Sequence, residues 1–201
     1  MRKKSFPPHK KKIGVIPTIY EKRGSLNILV DLKIFEFLNY CFGKHEIIIL
    51  DKYYNAKLDL IVSLGGNTLY RLVKNRSNSL RKKLDKYYLN KSINKKIPFL
   101  GICHGAQFIG SFFNGKLIKK KGHTNVQHKI ILKSKKTLEV NSFHDYSIAS
   151  IGKQFEVLAK AEDGTIEAFK HKKYRLLGII WHPERYKKFK KFDLEFIKKN
   201  L

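Results

Sequence analysis

Cys103, with a glycine two residues away on each side, is the position in this sequence best suited to carry chemistry. The apolar run from Pro98 to Ile102 is typical of a buried parallel strand, and helical spacing follows Cys103. Cys103 therefore falls at a strand-to-helix turn, the geometry of a nucleophile elbow. A helix N-terminus favours a thiolate, and the N–H of His104 can help to hold an oxyanion above the sulfur. Taken alone, the pattern fits a buried structural cysteine equally well.

The glycines around Cys103 have an expected physical purpose. Gly101 and Gly105 should permit a strained backbone and leave no Cβ to block the approach of a substrate.

His182 and Glu184 are the candidates for the other half of a catalytic site. An apolar strand predicted over 176–181 delivers His182, and Glu184 follows two residues later. A histidine at a strand end can act as general base to a cysteine, and a carboxylate can orient its imidazole. The alternative is a surface-loop histidine beside a Glu184 that pairs with Arg185.

Gly65 and Gly66 follow another predicted strand, Asp59 to Leu64. In a parallel sheet the carboxyl ends of the strands meet at one edge, so this turn and Cys103 should face one pocket. The free N–H groups of the turn can supply a second oxyanion donor. The alternative is a tight turn with no functional role.

The segment from Val140 to Asp145 holds further polar candidates. Ser142 and His144 are placed to contact a substrate, or His144 with Asp145 could form a second base and carboxylate pair. Local hydrogen bonds of a loop would explain the same residues. The chain has several histidines, but none has the spacing HExxH and no cysteines have the spacing CxxC, so we expect no metal site.

The order of predicted elements indicates an α/β fold with a mostly parallel sheet flanked by helices. Short strand-like pieces after Gly115, with a hairpin signal at Asp163-Gly164, predict an antiparallel extension in the C-terminal half. We expect one domain over residues 13–201, preceded by a basic tail over 1–12. The strands are predicted at 13–16, 46–50, 59–64, 98–102, 116–118, 127–132, 137–140, 155–161, 166–171 and 176–181, and the helices at 26–42, 69–89, after Cys103 and at 192–199.

The composition is strongly basic, with 43 Lys and Arg against 16 Asp and Glu in 201 residues and a formal charge of +27. The lysines are spread over nearly every segment, and A/T-rich codons would explain them together with the abundant Asn and Ile. We therefore expect no nucleic-acid partner.

Two cysteines do not make a disulfide framework, which favours a cytoplasmic protein in which Cys41 is a packing residue. No window of about 18 apolar residues predicts a membrane span.

Taken together, the motifs resemble class I glutamine amidotransferase domains. The residues that carry the resemblance are Gly101-Ile-Cys-His-Gly-Ala-Gln107, Gly65-Gly66 and Trp181-His-Pro-Glu184. Val140 to His144 and Asp163 to Ala168 look like two motifs of the γ-glutamyl hydrolase branch. The resemblance implies a flavodoxin-like fold, a triad of Cys103, His182 and Glu184, and an oxyanion hole from the N–H groups of Gly66 and His104. It also implies that substrate is held by Gly65, Asn67, Gln107, Ser142, Phe143 and His144.

The branch hydrolyses γ-glutamyl amides through a thioester and needs no cofactor. The run Ser142 to Ile148 is most similar to a subgroup, the γ-glutamyl-CDP-amidate hydrolases of capsule phosphoramidate biosynthesis, so a small, nucleotide-linked γ-glutamyl substrate is expected. The alternative is a glutaminase subunit that delivers ammonia to a partner synthase; a homo-oligomer is left open.

The chain departs from the branch at His104, where arginine is usual, and at Arg81-Lys82…Asp85, where an Arg-Asp…Glu pattern is common.

Overall fold

The computed structural model describes residues 10–55 and 57–201, which form a mixed β-sheet with helices on both faces. The helices are α1 (Leu32–Phe42), α2 (Arg76–Lys95), α3 (His104–Phe112) and α4 (Lys191–Asn200). The strands are β1 (Lys12–Ile16), β2 (Thr18–Lys22), β3 (Ser25–Leu29), β4 (Glu46–Ile49), β5 (Leu60–Ser63), β6 (Phe99–Ile102), β7 (Lys116–Lys119), β8 (Thr124–Leu132), β9 (Thr137–Phe143), β10 (Tyr146–Ser150), β11 (Phe155–Ala161), β12 (Ile166–His171) and β13 (Leu176–Ile179).

The sheet has a parallel core and an antiparallel extension, as predicted. The strand order is β4-β1-β5-β6-β13-β12-β11-β8-β9, and neighbours are parallel as far as β13. Beyond β13 the pairs are antiparallel, and β10 pairs with both β12 and β7. The ends of β5, β6 and β13, after which the candidate residues come, therefore lie side by side at one edge of the sheet.

Both faces of the parallel core are covered, which explains why its strands are continuous apolar runs. Successive side chains of a strand point to opposite faces, so Val15 packs in the cluster that contains α1 and α4, and Ile16 packs in the cluster of α2 and α3. Cys41 of α1 is 1% exposed in the first cluster, and burial raises its pKa to about 12. The prediction that Cys41 is a packing residue is confirmed.

Residues 18–29 form a β-hairpin where the spacing of Leu26 and Leu29 predicts the start of a helix. The chain turns at Arg23 and Gly24, whose φ angles are +52° and +77°. Helix α1 begins only at Leu32, after Asp31 accepts a hydrogen bond from the N–H of Lys33 at 2.9 Å. Leu29 is 56% exposed, so the apparent apolar stripe over β3 does not face the core.

Other differences concern element limits. The second predicted helix lies at Arg76–Lys95 rather than 69–89, and β10 was not predicted. Most of the predicted basic tail, residues 1–9, falls outside the described residues, and Lys12 already belongs to β1. Among the helices of the described ranges, none combines the length and the apolar character that crossing a membrane requires.

Candidate active site

Cys103 has the strained backbone of a nucleophile elbow. Its φ and ψ angles are +50° and −100°, directly between β6 and α3. A non-glycine residue in such a region costs about 1–3 kcal/mol, which the surrounding contacts must offset. The Cys103 N–H donates to the carbonyl of Ile179 at 2.8 Å, and its carbonyl accepts from the N–H of Gln107 at 2.9 Å. Strand β13 and the first turn of α3 thus hold the strained residue in place.

The glycines beside Cys103 are required by packing rather than by their own dihedral angles. Neither Gly101 nor Gly105 is among the residues with positive φ. A Cβ on Gly101 would lie 2.5 Å from the carbonyl carbon of Gly105, and a Cβ on Gly105 would collide with Ser63. The two glycines let α3 start directly against β5 and β6, while the strain falls on Cys103 itself.

His182 lies in contact with Cys103 and is held by Glu184. Its Nδ1 is 2.6 Å from Oε1 of Glu184, which lies in a short 3-10 helix, Pro183–Arg185. A Cβ placed on Gly65 would lie 2.6 Å from Cε1 of His182 and 3.4 Å from Cβ of Cys103. Burial opposes a charge on His182, but the charges of Cys103 and Glu184 outweigh it and raise its pKa to about 9. The imidazole therefore holds a proton at neutral pH.

Asn141 fixes the backbone of His182, a role that the sequence did not reveal. Its Oδ1 accepts from the His182 N–H and its Nδ2 donates to the His182 carbonyl, both at 2.8 Å. Phe143, on the same strand, meets the His182 ring edge-on at 5.6 Å between centroids, and Arg185 lies 4.7 Å from the Phe143 ring centre. Strand β9 is thus the support for the histidine.

The candidate oxyanion hole is formed by the turn after β5 and the start of α3. Gly66 has a φ of +98°, which favours glycine, and a Cβ there would lie 2.5 Å from Oγ1 of Thr18. Thr18 donates to the Gly65 carbonyl at 2.7 Å, and Asn67 bonds both the N–H and the carbonyl of Ile19. The β2–β3 hairpin therefore supports the turn. The N–H of His104 belongs to the first turn of α3, where backbone donors lack helical partners.

A buried ionic network lies beneath this turn. Arg81 and Asp85 are both 0% exposed, and Arg81 donates to the carbonyls of Leu64 and Pro17 and to Oδ2 of Asp85. Burial works against the ionised form of Asp85, but Arg81 and His104 hold its pKa below the ordinary value. The network fixes the backbone on which Gly65 and Gly66 sit.

The side chain of His104 is part of this buried network. Its Nε2 is 2.9 Å from Oδ2 of Asp85, and its Nδ1 is 2.8 Å from the carbonyl of Asn67. The ring thus ties the elbow to both α2 and the glycine turn. This is the structural consequence of histidine at the position where the hydrolase branch usually has arginine.

The other predicted substrate residues have contacts within the protein. The Nε2 of Gln107 donates to the Tyr146 carbonyl at 2.7 Å, and Oγ of Ser142 donates to the His123 carbonyl at 2.6 Å. Both nitrogens of the His144 ring face protein groups, and Asp145 accepts from Thr124 instead of from His144. Contacts from these residues and from Asn67 and Phe143 to a substrate stay predictions.

A basic pocket opens beside the elbow, between α2 and α3. It has a volume of about 320 Å³, and Nζ of Lys82 lies 5.1 Å from the centre of the Tyr70 ring. The residues that give it charge and aromatic surface are Tyr70, Arg71, Lys82, Lys86, Phe108 and Phe112.

Comparisons with known proteins show what the chain is similar to. The sequence model of the family described as glutamine amidotransferase class-I matches residues 58–200. The gamma-glutamyl-CDP-amidate hydrolase of Campylobacter jejuni is 36% identical over 133 residues, which are 66% of each chain. A glutamine-hydrolyzing GMP synthase component of Methanococcus aeolicus is 30% identical over 104 residues, 48% of this chain and 55% of that one. In neither case does the match reach two thirds of the relative's length.

A solved structure shows the same fold. The crystal structure of a glutamine amidotransferase from Thermotoga maritima superposes with a TM-score of 0.68 at 17% identity, over 88% of this chain and 77% of that one. Together with the sheet order, this likeness confirms the predicted flavodoxin-like α/β fold.

Proposed function

The chain belongs to the class-I glutamine amidotransferase family, and we propose that it is a cysteine-dependent hydrolase that cleaves a γ-glutamyl amide and releases glutamate. The observation that carries the proposal is the position of His182 between Cys103 and Glu184, 2.6 Å from the carboxylate and with a pKa raised to about 9. A structural cysteine would need neither a buried base nor a carboxylate behind that base.

The reaction follows from the contacts of these three residues. The proton of the Cys103 thiol already resides on His182 at neutral pH, so the thiolate sulfur attacks the γ-carbonyl carbon directly. The N–H groups of Gly66 and His104 hold the oxyanion, and each such donor is worth about 3 kcal/mol. When the tetrahedral intermediate collapses, the C–N bond breaks and His182 protonates the leaving nitrogen. A γ-glutamyl thioester remains, and water deprotonated by His182 hydrolyses it.

The substrate that we propose has a nucleoside diphosphate on the leaving nitrogen. The similar Campylobacter protein is named for such a substrate. The pocket beside the elbow offers cationic side chains for a diphosphate, among them Lys82 and Lys86, and aromatic rings such as Phe108 for a base. A γ-glutamyl amine such as γ-glutamyl-γ-aminobutyrate has only one carboxylate on its leaving group, which matches that charge and the aromatic rings less well than a nucleoside diphosphate does.

The test is glutamate release by the purified chain from γ-glutamyl-CDP-amidate, γ-glutamyl-γ-aminobutyrate and glutamine in parallel. Cys103→Ala should abolish turnover, and Cys41→Ala is the matched control because Cys41 packs in the core away from the pocket. Glutamate release that survives in Cys103→Ala would refute the assignment of the nucleophile. If no substrate is turned over although Cys103 is readily alkylated, the glutaminase alternative with a partner synthase gains support.

The substrate proposal has its own test. Lys82→Gln and Lys86→Gln should each raise KM for γ-glutamyl-CDP-amidate and leave KM for γ-glutamyl-γ-aminobutyrate unchanged. Lys83→Gln is the matched control, because Lys83 is an exposed lysine of the same helix that does not line the pocket. Equal changes for both substrates would contradict a diphosphate subsite at this position.

A further inference from the structure

Three histidines and a buried glutamate converge on the side of β9 next to the catalytic histidine. His123 precedes β8, His128 lies in β8, His144 follows β9, and Glu167 lies in β12. The shortest N–O separations to the carboxylate are 3.8 Å from Nδ1 of His123, 3.6 Å from Nε2 of His128 and 3.6 Å from Nε2 of His144. The ligand atoms of His123, His128 and Glu167 all lie within 4.8 Å of one another.

The outer hydrogen bonds of two of the histidines fix which nitrogen carries the proton. Nε2 of His123 is 2.9 Å from a carboxylate oxygen of Asp163, and Nδ1 of His144 is 3.1 Å from the carbonyl of Tyr146. Because both partners accept hydrogen bonds, the protons lie on these outer nitrogens. The inner nitrogens, Nδ1 of His123 and Nε2 of His144, then turn lone pairs toward Glu167. Such an outer carboxylate or carbonyl is the usual support of a metal-ligating histidine.

The inner atoms have no hydrogen-bond partner within the described ranges of the chain. This holds for the three inner nitrogens and for both oxygens of Glu167, all of which are buried. An unsatisfied buried polar atom costs about 1–3 kcal/mol, and separations of 3.6–3.8 Å are too long for hydrogen bonds to relieve that cost.

We propose that His123, His128, His144 and Glu167 bind one divalent transition-metal ion. A single cation would bond the lone pairs of all four groups at once. Three imidazoles and one carboxylate suit Zn²⁺, for which bonds of about 2.0–2.2 Å place tetrahedral ligand atoms roughly 3.4 Å apart. The separations of 3.6–3.8 Å to the two carboxylate oxygens need to contract by a few tenths of an ångström, and the ligand atoms of His123, His128 and Glu167, which lie within 4.8 Å of one another, need to contract further. His144 completes the set through its contact with the same carboxylate.

The proposed ion is structural rather than catalytic. Four protein ligands fill a tetrahedral coordination shell and leave no position for water or substrate. Through β9 the ion would brace the active site, because Ser142 bonds the His123 carbonyl and Asn141 holds His182. The proposal stands on the cluster alone and does not depend on the reaction at Cys103. The ligands come from three parts of the chain, at β8, after β9 and in β12, which is why no local spacing motif revealed them and why the sequence predicted no metal.

The test uses untagged protein, stripped with a chelator and then titrated with Co²⁺ and Zn²⁺. The wild-type chain should bind about one Co²⁺, give the visible absorption of a four-coordinate Co²⁺ site, and show a higher Tm with Zn²⁺. Glu167→Gln and His144→Gln should lose the absorption, whereas His45→Gln, a matched histidine outside the cluster, should keep it.

A further variant, Asp163→Asn, tests the site without replacing a ligand, in case the ligand variants fail to fold. Asp163→Asn keeps an acceptor for Thr165 but weakens the support of His123, so it should lower metal affinity about 10–100-fold in a folded protein. Folded wild-type protein that binds less than about 0.1 equivalent of either metal, with Tm unchanged, would overturn the proposal. Equal metal affinity in Asp163→Asn and wild type would overturn the assignment of His123 as a ligand.

Discussion

Replacing Glu184 by glutamine tests whether the carboxylate sets the proton position on His182. The two side chains have the same shape, so the 2.6 Å contact between position 184 and Nδ1 of His182 can persist. What changes is that one of the two oxygens becomes an NH₂ group. The effect on kcat depends on whether the amide presents its oxygen or its NH₂ group to Nδ1 of His182.

The surroundings of the second carboxylate oxygen decide the orientation. Oε2 of Glu184 is buried with no hydrogen-bond partner among the residues that the structure describes. An NH₂ group there would be an unsatisfied donor, at a cost of about 1–3 kcal/mol. The amide should therefore turn and donate its N–H to Nδ1 of His182. With a donor facing Nδ1, the single ring proton lies on Nε2, and the ring can no longer hold the proton of Cys103 as an imidazolium.

Two effects determine how far kcat should fall in Glu184→Gln: the change of tautomer and the loss of a charged hydrogen-bond acceptor. An orientation preference of about 1–3 kcal/mol makes the inactive tautomer roughly 5 to 150 times more abundant than the active one. The loss of the charge-assisted bond to the imidazolium removes about 1–1.5 kcal/mol more, or about tenfold in rate. We therefore expect kcat to fall by about 10²–10³ in Glu184→Gln.

The assay is kcat for glutamate release, together with the ¹⁵N chemical shifts of His182, which distinguish the two tautomers. Glu195→Gln is the control, because Glu195 is an exposed glutamate of α4 that pairs with Lys191. A Glu184→Gln enzyme within about threefold of wild type, or one with the proton still on Nδ1, would refute the reasoning.

Three further predictions concern the geometry around Cys103, His182 and Glu184. Gly65→Ala should lower kcat about 10²-fold, because the His182 ring must move from 2.6 Å to about 3.4 Å from the new Cβ. The measurement is kcat, together with a circular dichroism spectrum that should be unchanged. Arg81→Met should lower the free energy of unfolding by about 3–5 kcal/mol, since it removes the guanidinium that pairs with the buried Asp85 carboxylate, and adding Asp85→Leu should recover part of the loss in urea titrations. His182 should titrate near pH 9 by NMR in the wild type and at a lower pH in Cys103→Ala, because the charge of Cys103 is the largest of the contributions that raise its pKa; an unchanged titration would contradict the contact.

The sequence was most informative where chemistry and local structure coincide. The run into Cys103, with its flanking glycines, specified both a strand and a helix start, and the structure has both. The hairpin at Thr18–Leu29 was missed because the exposed leucines of β3 happen to have helical spacing. The turn itself is set by Arg23 and Gly24, a weaker signal than an apolar stripe.

Long-range pairing explains the remaining omissions. Arg81 and Asp85 have the spacing of an ordinary ion pair on a helix surface, and only the packing of α2 against the turn after β5 makes them buried. Asn141 lies inside a recognisable motif, but its two bonds to His182 span 41 residues. No local pattern carries such information.

The position of β13 has a consequence for the order in which the protein is made. It is the last strand along the described chain, yet it lies between β6 and β12 in the middle of the sheet. During synthesis the edge of β6 must wait until residues 176–179 leave the ribosome, and such late, non-local pairing is slow and exposes an unpaired edge. The same strand delivers His182 and bonds the N–H of Cys103. A nascent chain therefore carries Cys103 without His182 beside it, and the two side chains meet only when the sheet closes.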